Sequence, residues 1–160
     1  MPLTGGIMAF TFAFGTSFAA PILGLAILPL LTAAASAPPP TVDVSITGLR
    51  NTDGQLLVCL TANPKAFPDC SKDKASVRMA VKAANAGHFK VAAPADGTYA
   101  IAVVHDENSN NKMDMALFLP KEGFGFSRNP TITVGAPSFK SASFAIAGDT
   151  HQAIKLKYML

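Results

Sequence analysis

From Thr41 onward the apolar residues of this chain return at every second position, and no long stretch repeats at the 3.6-residue spacing of an amphipathic helix. That period calls for strands with one buried face rather than for a helical bundle. Val42, Val44 and Ile46 alternate with Asp43, Ser45 and Thr47 up to Gly48. Asn51-Thr52-Asp53-Gly54 then turns the chain, because Asp-Gly supplies the positive φ a hairpin needs. Gln55 to Thr61 is a second strand with apolar residues on both faces, which places it inside a sheet rather than at an edge. Asn63 to Lys74, with two prolines, reads as a loop. Further strands are expected over Val77 to Lys82, His88 to Ala92, Thr98 to His105, Thr131 to Val134, Ser143 to Ala147 and Ala153 to Tyr158. About seven to eight short, turn-punctuated strands predict an all-β, antiparallel β-sandwich, with a closed barrel as the alternative that strand number does not separate.

The region before Thr41 obeys different rules. No Lys, Arg, Asp or Glu precedes Asp43, and Ile7 to Leu31 is mostly apolar, ending in the small residues Ala33 to Ala37. Such a segment reads as a secretory signal over residues 1–37, with translation starting at Met1 or Met8. It is also long enough to span a bilayer, although Gly15, Pro21, Gly24 and Pro29 interrupt it. If the signal is cleaved, no transmembrane segment remains. Pro38-Pro39-Pro40 is a stiff spacer, and residues 41–160 form a single domain. The expected destination is the periplasm or the exterior.

Export makes the cysteines interpretable. Cys59 and Cys70 are the only two, eleven positions apart, and an oxidising compartment favours a disulfide over two buried thiols. Closing that loop contributes about 2–3 kcal/mol. Two Cys without nearby His do not make a zinc site. The net charge of +3 is scattered and forms no basic run, so nucleic acid is not an expected partner.

Chemistry concentrates in one decapeptide, His105 to Asp114, which holds three of the ten acidic residues. Counting Asp106 as position 1, Asn108 and Asn110 stand at 3 and 5, the Lys112 carbonyl at 7 and Asp114 at 9. This is the first part of an EF-hand-type calcium loop. Leu117 occupies position 12, where a bidentate Glu is needed, so Glu122 can complete the set only if the chain folds back. The alternative is that the same oxygens bond the loop's own backbone as Asx turns. His105 is either a ligand or general base beside Asp106 and Glu122, or a hydrogen-bonding anchor at the strand end. Phe124 and Phe126, between glycines, either plug the end of the core or line a binding surface with His105. Ser127 has no Gly two positions later and is not a nucleophile elbow.

Two resemblances add to this reading. Gly97-Thr98-Tyr99-Ala100-Ile101-Ala102-Val103 resembles the turn-Tyr-strand motif of transthyretin-like (prealbumin-like) Greek-key sandwiches, among them carboxypeptidase regulatory-like domains. The run from Gly97 through Tyr99, His105, Asp106, Asn108, Asn110 and Asp114 to Pro120, Glu122, Gly123, Gly125, Phe126 and Ser127 resembles a bacterial exported family catalogued as domain of unknown function 2141. Asn111 and Phe118 stand where that family usually has Gly; Asn tolerates the left-handed conformation that Gly would supply. The resemblance implies fold and export, and no reaction.

The expectation is therefore an exported, non-enzymatic sandwich whose 105–128 region is a binding or structural surface ordered by calcium. An envelope protein or a carbohydrate is the partner class expected of it. Its rivals are a periplasmic hydrolase using His105, Asp106 and Glu122, and an inert envelope component. Convergence of those three groups in a cleft is the mark of the first. Burial of Phe124 and Phe126 is the mark of the second.

Overall fold

A computed structural model describes residues 38–133 and 135–160. The leader expected over residues 1–37 lies outside them, as does Val134. Pro40 already belongs to the fold, since its carbonyl accepts from the Ala93 N–H at 2.9 Å.

Among the described residues ten strands form: β1 Thr41–Thr47, β2 Gln55–Thr61, β3 Val77–Lys82, β4 Phe89–Ala92, β5 Gly97–Asp106, β6 Met115–Ala116, β7 Leu119–Pro120, β8 Gly123–Phe126, β9 Phe144–Ile146 and β10 Thr150–Lys155. A one-turn helix, α1, covers Phe139–Ala142 and is capped by the Ser138 side chain. The all-β expectation holds. One sheet runs β10-β1-β4 and the other β3-β2-β5-β8, with β9 added on β5 and a small β6-β7 hairpin apart. β2 lies inside its sheet, as its two apolar faces require.

The two larger sheets share one core. Val42, Val44 and Ile46 of β1 and Ile154 of β10 meet Leu56, Val58 and Leu60 of β2 and Tyr99, Ile101 and Val103 of β5. Tyr99 is buried among them, and its hydroxyl reaches back to the Ala95 carbonyl at 3.0 Å. The opposite face of β5 carries a second cluster, in which Ala100, Ala102, Phe124, Phe126 and Ala142 pack with Phe67, Ile132 and Phe139.

Four details differ from the sequence reading. β1 and β10 pair in parallel, so the sandwich is not purely antiparallel. Thr131–Thr133 is not a strand. Three strands lie outside the expectation, β6, β7 and β8, all between Asp114 and Ser127. The last strand ends at Lys155, and Lys157 crosses to β8 through a pair of 2.9 Å bonds with Phe124. That crossing joins the two sheets along one side, while β3 and β4 remain unpaired with each other among the described residues. Closure on one side only is a sandwich rather than a barrel.

Candidate functional site

β5 delivers His105 and Asp106 to the end of the sheet, and strand alternation sends them to opposite faces. His105 is fully buried on the inner side. Its Nε2 lies 2.8 Å from the Asp53 carbonyl, which can only accept, so Nε2 carries the proton; Nδ1 then accepts from the Tyr158 hydroxyl at 2.6 Å. Both ring nitrogens are spent on the 51–54 turn and the C-terminal segment. His105 is thus the anchor of the strand end.

Asp106, equally buried, turns outward into the loop. Oδ1 accepts the Asn110 N–H at 3.0 Å, and Oδ2 accepts the Asn111 N–H and Gln55 Nε2, both at 2.8 Å. Asn108 Oδ1 accepts the Asn110 N–H, and Asn110 Oδ1 accepts the Lys112 N–H. These are the Asx turns that the spacing allows. Ser109 and Asn111 take positive φ, 58° and 63°, so Asn111 does adopt the left-handed conformation in place of Gly.

The two ends of the loop meet. Asn108 Nδ2 and Asn110 Nδ2 donate to the Asp114 carboxylate at 2.8 to 3.1 Å, and the Asp114 N–H donates to Glu122 Oε2 at 3.1 Å. Glu122 does fold back, because the β6-β7 hairpin returns the chain and the Lys121 N–H bonds the Asp114 carbonyl. Glu122 is buried, and its Oε1 has no hydrogen-bond partner. Burial pushes its carboxyl pKa up; the Asp114 N–H works against this, and the Asp106 and Asp114 charges add to it. Among the described residues, no three His, Cys, Asp or Glu side chains converge on one ion by themselves. A cation here would therefore draw on amide and main-chain oxygens as well.

Three residues absent from the sequence reading hold this end together. Arg50 forks onto the Glu107 carboxylate, donates to the carbonyls of Lys121 and Leu160, and lies 4.6 Å from the centre of the Tyr158 ring. Its hydrogen bond holds Glu107 below the usual carboxylate range, against partial burial and with help from Asn51. Burial pushes the Tyr158 phenol up, opposed by the Arg50 N–H. Gln55 ties Asp106 and Asn111 to β2. A basic residue facing an acidic loop was the available signal for Arg50, yet 57 positions separate it from Glu107.

The exposed patch expected around His105, Phe124 and Phe126 is absent, which is the mark of the inert component, although Phe124 and Phe126 line part of the groove described below. All three are buried, the phenylalanines as the plug of the second cluster. Ser127 is also buried, accepting from the Ile101 N–H and donating to the Ala142 carbonyl at 2.6 Å. Cys59 and Cys70 are joined, with Cα atoms 6.1 Å apart, and tether the 62–76 loop over β2. Between that loop and Asn111–Met113 runs a groove of about 890 Å³ on the outer face of the β3-β2-β5-β8 sheet, floored by Leu57, Ala80 and Val104. No helix among the described residues is long and apolar enough to cross a membrane.

Residues 44–155 match a family described as "Uncharacterized protein conserved in bacteria" (DUF2141). No curated protein and no solved structure matches the chain.

Proposed function

The chain belongs to the bacterial DUF2141 family, and from that premise we propose that it is an exported, non-catalytic binding module whose Asp106–Glu122 loop is ordered by calcium. The observation that carries the reading is Glu122. It is a buried carboxylate with one free oxygen, folded back onto the Asp114 N–H beside a loop that lacks an acid of its own at position 12. For Asp106, Asn108, Asn110, Asp114 and Glu122, with the Lys112 carbonyl, to hold the ion, the three carboxylates would have to draw together on binding, since they are not grouped around one point in the fold described above. The hydrogen bonds do not exhaust these groups: Asp106 Oδ2 and Asp114 Oδ2 each accept two, but the other carboxylate oxygen of each and the Asn108 and Asn110 amide oxygens accept one, leaving a lone pair. Three acids offset mainly by neutral N–H and amide donors also favour a cation electrostatically.

The rest of the reading follows from position. Asn111–Met113 forms one wall of the apolar groove, so fixing the loop fixes the shape a partner would meet. An envelope protein or a carbohydrate remains the partner class of this reading. The disulfide is compatible with an oxidising compartment. The Tyr99 motif supports a transthyretin-like cast for the sandwich. The non-catalytic reading is supported by His105, which faces away from Asp106 with both nitrogens engaged.

The test is thermal unfolding with calcium against chelator. At ~10 mM calcium and a Kd of ~0.3 mM, the ion stabilises the native state by about 2 kcal/mol, several degrees in Tm. Magnesium does less, because it holds its waters. Asp106→Asn and Glu122→Gln each abolish most of the increment. Equal melting temperatures with calcium and with chelator would leave the loop as a purely self-bonded Asx structure.

A further inference from the structure

The β6-β7 hairpin presents an apolar tip that nothing in the described fold covers. Leu117 and Phe118 are 94% and 91% exposed, and Met113, Met115 and Leu119 beneath them are exposed as well. Leu117 also takes a φ of 56°, a conformation that glycine adopts freely and leucine does not. A chain that needed only a tight turn here would be better served by Gly or Asn. Neither local backbone preference nor core packing accounts for a leucine and a phenylalanine at this tip.

The exposed charged side chains around the tip are both basic, while the nearby acids Glu107, Asp114 and Glu122 are half-buried or buried. Lys112 and Lys121 are exposed at the base of the hairpin, Lys121 paired through its N–H to the Asp114 carbonyl. The acids nearby are all engaged elsewhere. Asp114 receives the Asn108 and Asn110 amides, Glu107 is held by Arg50, and Glu122 is buried. What reaches outward is an apolar point above two free ammonium groups.

We propose that this hairpin inserts its tip into an anionic lipid surface, Leu117 and Phe118 entering the acyl boundary while Lys112 and Lys121 meet phosphate headgroups. Interfacial binding combines these two terms, buried apolar area and attraction to anionic lipid, and long lysine side chains bridge the two depths. A protein partner fits less well. Even with Met113, Met115 and Leu119 counted, a convex tip presents its apolar area in several directions at once, whereas a stable protein interface takes roughly 800 Å² of each partner over one face. A lipid surface deforms around a point and needs no complementary pocket. The proposal does not rest on calcium.

The chain contains no Trp, so Phe118→Trp in the full chain makes the tip its own reporter. The assay uses vesicles of phosphatidylethanolamine with phosphatidylglycerol and vesicles of phosphatidylcholine alone, in chelator. The expected result is a blue shift on the anionic vesicles, quenching by lipids brominated along the acyl chain, and a much weaker response on the neutral ones. Adding Leu117→Asn weakens binding by about tenfold, and Lys112→Ala with Lys121→Ala weakens it on anionic vesicles, with circular dichroism unchanged in each. Vesicle binding with the reporter still emitting as in water would assign attachment to another part of the chain and overturn the proposal. A blue shift that grows with protein concentration in the absence of lipid would overturn it too, since a second copy would then be covering the tip.

Discussion

Residues 106–114 and 115–120 are consecutive in the chain and opposite in physics. The first segment is polar and closes on itself: Asp106 alone accepts from Asn110, Asn111 and Gln55, and the loop's amides converge on Asp114. The second has two ladder pairs and an exposed apolar tip. Polar side chains could have been left in water at no expense, yet here they build the interior of a loop. Apolar ones, which folding normally buries, are left outside. The first segment is therefore held by the fold, and the second is merely carried by it. Internal hydrogen bonding gives way to exposed apolar surface at Asp114.

That contrast predicts very different responses to substitution. Asp106→Ala removes a buried carboxylate from three donors and is expected to destabilise by about 3 kcal/mol, roughly 10 °C, even in chelator. Thermal unfolding by circular dichroism checks this, and a loss below about 0.5 kcal/mol would erase the distinction between the two segments. At the tip the expected sign reverses. Leu117→Asn relieves a left-handed leucine and should raise stability by about 0.5 kcal/mol. Phe118→Ser should leave the denaturant midpoint within the equivalent of about 0.5 kcal/mol. A clear destabilisation by either would mean that the hairpin packs against something in the full chain.

The smallest effect is at high pH. The Tyr158 phenol is raised above its ordinary value by burial, so the unfolded chain ionises first. The folded state then binds the extra proton, and stability falls as pH rises above about 10 until the folded phenol ionises as well. Tyr158→Phe should flatten that alkaline slope while exposing the cost of an unpartnered His105 Nδ1 at neutral pH. Denaturation curves between neutral and strongly alkaline pH measure both.

The strands that alternation reveals are the ones whose two faces differ. β1, β3 and β4 have such faces, and their spans are close to those expected from the residues. β8 does not: Gly123-Phe124-Gly125-Phe126 is buried at all four positions. Its glycines are there because other residues occupy the space. A Cβ on Gly123 would meet the Tyr158 ring, and one on Gly125 would meet Ile154 and Leu156. Those neighbours come from the far end of the chain, so in sequence the glycines look like a loop. α1 escaped for a different reason, since a single turn is too short to repeat the 3.6-residue period.

In the site, the spacing of Asp106, Asn108, Asn110 and Asp114 determined the Asx turns and the left-handed Asn111, because each bond spans two to five residues. Strand alternation likewise put His105 and Asp106 on opposite faces of β5, a consequence already present in their being adjacent. Whether Glu122 reaches the loop was decided by the β6-β7 hairpin, and whether Phe124 and Phe126 are surface or core by Phe67 and Phe139 packing over them. Arg50 and Tyr158 were placed at this end by the turn after β1 and the crossing at Lys157. Short-range hydrogen bonds can be read from residue order because backbone geometry alone sets their partners. Burial and long-range pairing cannot, because they depend on which distant surface arrives to displace the water.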